Sequence, residues 1–315
     1  MVGVTAAPFE AACRVCAPDQ LTVMLGALRV RVRVAGPLLA ERLFDPLLHL
    51  IADEAGAIDL SVDAWSRDEV GLPISPDEPA LTVDPASGRA VCRFESADAL
   101  PRADLARPFQ NILLELLHRR GLPAVHAALV APETEAAGLL LVGPNGSGKS
   151  TSTLSAVMDG FGMVGDDCFG IERRGDRFLG HSLYRTCCLT HEARSRFKDL
   201  PGPMRFPPGA DAFAKGVLTL PMGRMRRSLP VSALVFPDIG PRGGTTRAVG
   251  IGAGEGLRRF MPALRFARIF VGEQRQSHYA ALTAMVGMLP CFRLDLGGDF
   301  TAVPAVLREL AGSLR

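Results

Sequence analysis

The sequence predicts an α/β protein in which a smaller mixed α/β unit, residues 1–105, precedes a larger unit, residues 106–315. Apolar residues recur at period two in predicted strands and at helical spacing in predicted helices. In the second unit, short apolar runs lead directly into loops rich in glycine or acidic residues. The 315 residues, 48% of them hydrophobic, are enough for one large core or two ordinary ones.

The first unit contains one clear strand and one clear helix. Residues 28–34 alternate apolar residues with arginine, which indicates a strand with one face toward water. Apolar residues at helical spacing predict a helix over 37–52. Further strands are predicted over 58–62 and 80–83, and no residue of this unit suggests chemistry.

The second unit is predicted to alternate strands and helices, the arrangement that places ligands at the carboxyl ends of strands. Its predicted strands cover residues 125–130, 138–142, 162–165, 169–172, 216–220, 231–236 and 291–296. Its predicted helices cover residues 108–120, 150–158, 277–288 and 301–310.

Charge and hydropathy exclude several classes of protein. The formal net charge is only +2, which argues against a protein whose main task is to bind nucleic acid. No apolar run approaches the roughly 18 residues of a membrane span, and the first residues lack the pattern of a secretory signal. Seven irregularly spaced cysteines are typical of reduced thiols. We therefore expect a cytoplasmic protein without a membrane or nucleic-acid partner.

The strongest motif is Gly143-Pro-Asn-Gly-Ser-Gly-Lys-Ser150, which satisfies the pattern G-x-x-x-x-G-K-[ST] between a predicted strand and a predicted helix. Its glycines allow successive backbone N–H groups to point at phosphate oxygens. Lys149 is expected to neutralise the β and γ phosphates, and the Ser150 hydroxyl to bind Mg²⁺. The motif predicts a site for a purine nucleotide with Mg²⁺, formed by Gly143, Pro144, Asn145, Gly146, Ser147, Gly148, Lys149, Ser150 and Thr151.

An acidic pair, Asp166 and Asp167, follows the motif closely and ends the next predicted strand. Two carboxylates beside a Mg-nucleotide can divide the work, one binding the metal and the other accepting a proton from an attacking hydroxyl. A turn or a helix cap is the alternative reading of such a pair. The loop also looks like that of ABC transporter ATPases, but the chain has no Leu-Ser-Gly-Gly-Gln signature and no distant Asp-Glu strand.

His126 lies in an apolar predicted strand before the loop, where a histidine is usually a core residue. Together, however, His126, the loop and the acidic pair resemble the catalytic domain of the HPr kinase/phosphorylase family, whose nucleotide-binding core is like that of phosphoenolpyruvate carboxykinase. The match covers roughly residues 126–172. The carboxyl-terminal stretch 289–298 looks more like the related kinases that phosphorylate ribosomally made peptides.

The resemblance implies ATP-dependent phosphoryl transfer to a serine-type hydroxyl. It implies that Lys149 binds phosphate, that Ser150 binds Mg²⁺, and that Asp167 accepts the proton, with Asp166 and His126 supporting or orienting it. As the other carboxylate of the acidic pair, Asp166 is also a candidate ligand to the metal. The resemblance also implies a possible homo-oligomer. The chain lacks the family's Ile-Arg-Gly signature, which supplies a metal-binding glutamate in that family. No residue is therefore assigned here as the counterpart of that Mg²⁺ ligand, and HPr is not the expected acceptor.

Two further cations are candidate catalytic residues. Arg185 is a candidate because a guanidinium forks onto phosphate oxygens, and Lys215 because the chain contains only three lysines. The predicted function is a kinase whose partner is a peptide or small-protein phosphoacceptor. The alternatives are a kinase of a small-molecule hydroxyl, a nucleotide-gated binding module and, least favoured, a transporter motor.

Overall fold

A computed structural model describes residues 7–73, 79–84, 87–209, 214–240, 244–264 and 272–314. Within these ranges the chain is a mixed α/β protein with several sheets. Its helices are α1 (Ala7–Val15), α2 (Pro37–Phe44), α3 (Arg67–Val70), α4 (Arg102–Ala106), α5 (Gln110–Arg119), α6 (Lys149–Met158), α7 (His191–Ser195), α8 (Ala253–Phe260), α9 (Gly272–Met288) and α10 (Val303–Ser313).

A five-stranded sheet forms the first part of the chain. Its strands are β1 (Pro18–Leu25), β2 (Leu28–Ala35), β3 (Leu60–Ser66), β4 (Leu81–Asp84) and β5 (Arg89–Phe94), in the order β1-β2-β3-β5-β4. The β2–β3 and β3–β5 pairs are parallel, and the two outer pairs are antiparallel. The alternation of residues 28–34 is visible in β2, where valines are buried and arginines are half-buried.

A larger sheet carries the glycine-rich loop. Its strands are β6 (Ala124–Val125), β7 (Ala127–Ala131), β8 (Gly138–Val142), β9 (Gly162–Asp166), β10 (Phe169–Arg174), β11 (Arg177–His181), β15 (Ser228–Ile239), β16 (Arg247–Ile251) and β17 (Cys291–Leu296). The order β6-β10-β11-β15-β8-β7-β9 is extended where β17 pairs with both β15 and β16. A third sheet has the order β12-β14-β13, formed by β12 (Thr186–Thr190), β13 (Met204–Arg205) and β14 (Lys215–Thr219).

Strand direction brings several chain segments to one edge of the larger sheet. Strands β8, β15 and β17 run parallel, so their carboxyl ends meet there. Strand β7 is antiparallel to both β8 and β9, with Ala128 opposite both Leu141 and Asp166. The end of β9 and the beginning of β7 therefore lie at the same edge as the end of β8.

Several elements differ from the predictions. The helix predicted over 37–52 ends at Phe44 and continues as a 3-10 helix, Asp45–Leu50, because Pro46 has no N–H to donate to the next α-helical hydrogen bond. The strand predicted over 125–130 is divided at His126, whose backbone N–H bonds to the carbonyl of Ala263 instead. Helix α1 and strands β1 and β5 were not predicted.

Buried contacts fasten the five-stranded part to the rest of the chain. His49 Nε2 lies 2.6 Å from Ser182 Oγ. The Arg185 guanidinium pairs with the carboxylate of Asp45 and donates to the carbonyl of Leu220 at 2.8 Å. One apolar cluster also combines β1–β3, α2 and α5 with Tyr184 and other side chains beyond it. The boundary at residues 105 and 106 remains a prediction.

Among the described residues, no helix is both long and apolar enough to cross a membrane.

Candidate functional site

The glycine-rich loop, residues 143–148, joins β8 to the first turn of α6. Gly146 and Gly148 have φ angles of 85° and 91°, a region that side chains with a Cβ rarely adopt. A Cβ on Gly148 would overlap the Leu296 side chain, and one on Gly143 would overlap Ser147. The helix begins at Lys149, so its free N–H groups and the positive end of its dipole face the loop.

Lys149 and Asp167 form the central contact of the site. Lys149 Nζ donates to Asp167 Oδ1 at 2.9 Å, and the lysine side chain is only 5% exposed. Burial alone lowers the pKa of Lys149, but the carboxylates of Asp166 and Asp167 outweigh it and raise the pKa above its usual value. The ammonium group therefore stays charged inside the protein.

Asp167 is surrounded by basic side chains. Burial favours its neutral form, but Lys149, His126 and Arg107 together hold its pKa well below the usual range. His126 Nδ1 lies 3.0 Å from the backbone oxygen of Asp167 and 3.6 Å from Oδ1. The backbone of Asp167 has a φ of 72°, which is uncommon for a residue other than glycine. This conformation turns the chain after β9 and contributes to strain at the site.

Asp166 has the opposite electrostatic character. It is 5% exposed, and burial together with the charge of Asp167 raises its pKa. Cys187 Sγ donates to Asp166 Oδ2 at 3.0 Å. Asp166 Oδ1 is buried and has no hydrogen bond of good geometry in the described chain, although the Ser150 hydroxyl is close enough to act against the rise in pKa.

These groups fit a hard divalent cation. Carboxylate and hydroxyl oxygens are the ligands that Mg²⁺ prefers, and Asp166 Oδ1 is a buried oxygen without a good donor. No cluster of three or more His, Cys, Asp and Glu side chains that would hold a metal occurs in the part of the chain that the structure describes. A Mg²⁺ ion bound here would take its other oxygens from water and a phosphate ligand, as is usual for this ion.

A cavity of about 270 Å³ opens in front of the loop. Its lining includes Pro144, Asn145, Gly146, Gly148, Lys149, Ser150, Thr151, Asp167, Lys215, Arg196, Ile239 and Phe300. The structure thus brings the loop together with Asp167 and Lys215 at one cavity. Lys215 begins β14 and lies opposite Thr190 of β12.

Arg185 is not brought to this cavity. Its guanidinium bonds to the side chain and backbone of Asp45 and to the carbonyl of Leu220. All three nitrogens of the guanidinium donate here, and these bonds serve the contact between the five-stranded part and the core. We therefore assign Arg185 to the fold rather than to a phosphate.

Sequence reasoning also missed residues that line or touch the site. The Arg196 guanidinium lies 4.9 Å above the centre of the Phe300 ring at the rim of the cavity, beside the 59% exposed Ile239. Arg107 approaches Asp167, and Cys187 approaches Asp166. No local motif marks these residues, because each is brought to the site by a contact between segments distant in sequence.

No protein-family model matches the chain, and no curated protein matches it in sequence. Among solved structures, the chain is similar to the HPr(Ser) kinase/phosphatase from Coxiella burnetii, with 11% sequence identity and a TM-score of 0.31. The alignment covers 60% of this chain and 94% of that one.

Proposed function

We propose that the protein is a kinase that transfers the γ-phosphoryl group of Mg-ATP to a serine-type hydroxyl of a peptide or small protein. The observation that carries the proposal is the contact of 2.9 Å between Lys149 Nζ and Asp167 Oδ1 in front of the glycine-rich loop. A loop for phosphates alone needs no such carboxylate. The Asp167 carboxylate, held at the cavity beside the lysine, is in addition suited to accept a proton from an attacking hydroxyl.

The phosphates would lie against the loop and the first turn of α6. Backbone N–H groups of residues 143–148 would donate to phosphate oxygens, and Lys149 would pair with the β and γ phosphates. Ser150 and Asp166 would hold Mg²⁺, which when bound neutralises charge on the phosphate oxygens. The adenine ring of ATP would lie at the rim of the cavity. There Ile239 and Phe300 offer apolar surfaces and Arg196 offers a cationic one to a planar ring.

The phosphoryl transfer needs no covalent bond between the protein and the phosphoryl group. The acceptor oxygen forms a bond to the γ-phosphorus as the bond from that phosphorus to the β–γ bridging oxygen breaks, and ADP leaves. The hydroxyl proton passes to Asp167. Because such transition states are loose, a positioned carboxylate of low basicity is sufficient to orient the hydroxyl and take its proton. His126 would hold Asp167 through its backbone oxygen, and Lys215 would face the transferred group from β14.

Two variants separate binding from transfer. Lys149→Met removes the charge that pairs with the phosphates and is expected to weaken Mg-ATP binding by at least about tenfold. Asp167→Asn keeps the shape of the side chain and is expected to retain binding while phosphoryl transfer falls by about a hundredfold or more. Lys198→Met, at an exposed lysine outside the cavity, is the matched control and should behave as the wild type.

Binding would be measured by calorimetry with ATP and Mg²⁺, and transfer by mass spectrometry after incubation with serine-containing peptides, with slow release of phosphate from ATP as the second readout. Binding without transfer to peptide or water, together with an effect of ATP on a partner's affinity, would favour a nucleotide-gated binding module instead. Transfer to small hydroxyl compounds alone would indicate a small-molecule kinase.

A further inference from the structure

Arg107 lies in the segment that joins the five-stranded part to the core, directly after α4. The backbone on both sides of it is fastened by buried side chains. Thr186 Oγ1 donates to the carbonyl of Ala106 at 2.6 Å, and the Tyr184 hydroxyl donates to the carbonyl of Pro108 at 3.0 Å. These bonds leave Arg107 little freedom to move relative to β12 and the cavity.

The Arg107 guanidinium is directed at Asp167. Its Nη1 lies 3.5 Å from Asp167 Oδ2, and its side chain is 18% exposed. Its Nε is buried and forms no hydrogen bond with any residue that the structure describes. Each oxygen of Asp167 thus faces one permanently charged group. Oδ1 faces Lys149, with His126 Nδ1 at 3.6 Å, and Oδ2 faces Arg107.

This division matters once phosphates arrive, because Lys149 serves both Asp167 and the phosphates of the proposed nucleotide. When the lysine turns toward the phosphates, Asp167 loses its nearest cation and faces a polyanion from a mostly buried position. A buried carboxylate without a cation strongly disfavours a second anion beside it. Arg107 approaches from outside the loop and can stay in place while Lys149 moves.

We propose that Arg107 is a positioning residue that neutralises Asp167 while Lys149 is engaged by the nucleotide, so that a polyphosphate can bind beside the acidic pair. This inference rests on the proposed function. It assigns a task to the segment between the two parts of the chain, which otherwise only connects them. It also explains why the fold fastens residues 106 and 108 so firmly.

A double-mutant cycle on Mg-ATP binding tests the inference without knowledge of the acceptor. Arg107→Met removes the charge at similar length and is expected to weaken binding about tenfold. In an Asp167→Asn background, where no carboxylate needs a cation, the same change should alter binding by less than about twofold. Arg107→Lys, which keeps the charge, should bind within about threefold of the wild type.

Arg33→Met is the matched control, because Arg33 is another partly buried arginine and pairs with Asp63 at 2.7 Å in the five-stranded sheet. It should leave Mg-ATP binding unchanged. Circular dichroism and the unfolding midpoint of each variant check that the fold is kept.

The outcomes separate this inference from the proposed function. Equal losses from Arg107→Met in both backgrounds would overturn it, because Arg107 would then contact the phosphates or support the fold in general. An unchanged affinity in Arg107→Met would overturn it as well. If the wild type bound neither Mg-ATP nor pyrophosphate, the proposed function would fail, and the role of Arg107 in nucleotide binding would fail with it.

Discussion

Acidification should loosen the contact between the five-stranded part and the core, because His49 is held neutral there. Burial, Arg185 and Arg227 lower the pKa of His49 from 6.5 to about 3. Its Nε2 shares a hydrogen bond with Ser182, and the carboxylate of Asp45 on the same side is already paired with Arg185. In the unfolded chain His49 regains its ordinary pKa. Below about pH 6.5 the unfolded state therefore binds a proton at His49 and the folded state does not.

The sign and size follow from proton linkage. When folding lowers the pKa of a histidine, the free energy of unfolding is highest above pH 6.5, where the histidine is neutral in both states. It falls as the pH drops from 6.5 toward the folded pKa of about 3, because only the unfolded state takes up the proton. Between pH 7 and pH 5 the free energy of unfolding should fall by about 2 kcal/mol from His49 alone, and by about 3 kcal/mol at pH 4. That is a large fraction of the stability of an ordinary domain.

The assay is urea unfolding at pH 7, 6, 5 and 4 for the wild type and His49→Gln. Glutamine keeps a hydrogen-bonding side chain but does not titrate. All other ionisable groups are common to both proteins, so the difference between the two pH profiles isolates His49. His191→Gln, at an exposed histidine, is the control and should follow the wild type. A wild type and a His49→Gln variant that lose the same stability between pH 7 and pH 5 would refute the reasoning.

Two further predictions concern ligands. Cys187→Ala removes the thiol that donates to Asp166 and should weaken Mn²⁺ binding in the presence of ADP about tenfold. Binding would be followed by electron paramagnetic resonance. The control is Cys92→Ala, at a buried cysteine of the five-stranded sheet, which should leave the affinity for Mn²⁺ unchanged. Phe300→Ala removes an aromatic surface on which the adenine ring of ATP would stack at the rim of the cavity. It should weaken ATP binding about tenfold in calorimetry but leave pyrophosphate binding unchanged, and a parallel loss for both ligands would contradict a base site there.

The local conformation of the glycine-rich loop could be predicted from sequence because it depends on neighbours in the chain. The run of residues 138–142 forms β8 with the predicted bounds, and α6 begins one residue before its predicted start. Glycines at positive φ and a lysine at the first helical turn are local requirements. The acidic pair follows after one helix and one strand, so its distance from the loop is also limited by the sequence.

The partners of each charge were decided by the tertiary structure. His126 reaches Asp167 only because β7 runs antiparallel to β8 and β9, a direction that the pattern of apolar residues does not reveal. Arg185 looks in sequence like a phosphate ligand, yet Asp45, 140 residues away, holds its guanidinium. Arg107 gives no local signal and reaches the site because the fold fastens the segment around it.

The sequence by itself therefore determined where the glycine-rich loop would form and which strand and helix would flank it, since these follow from backbone freedom and hydrophobic period. Only the tertiary structure decided which basic groups face Asp167 and which oxygen of Asp166 is left buried without a hydrogen bond. The reason is physical. Charged side chains find partners by distance in space and by burial, and neither is encoded in the spacing of residues along the chain.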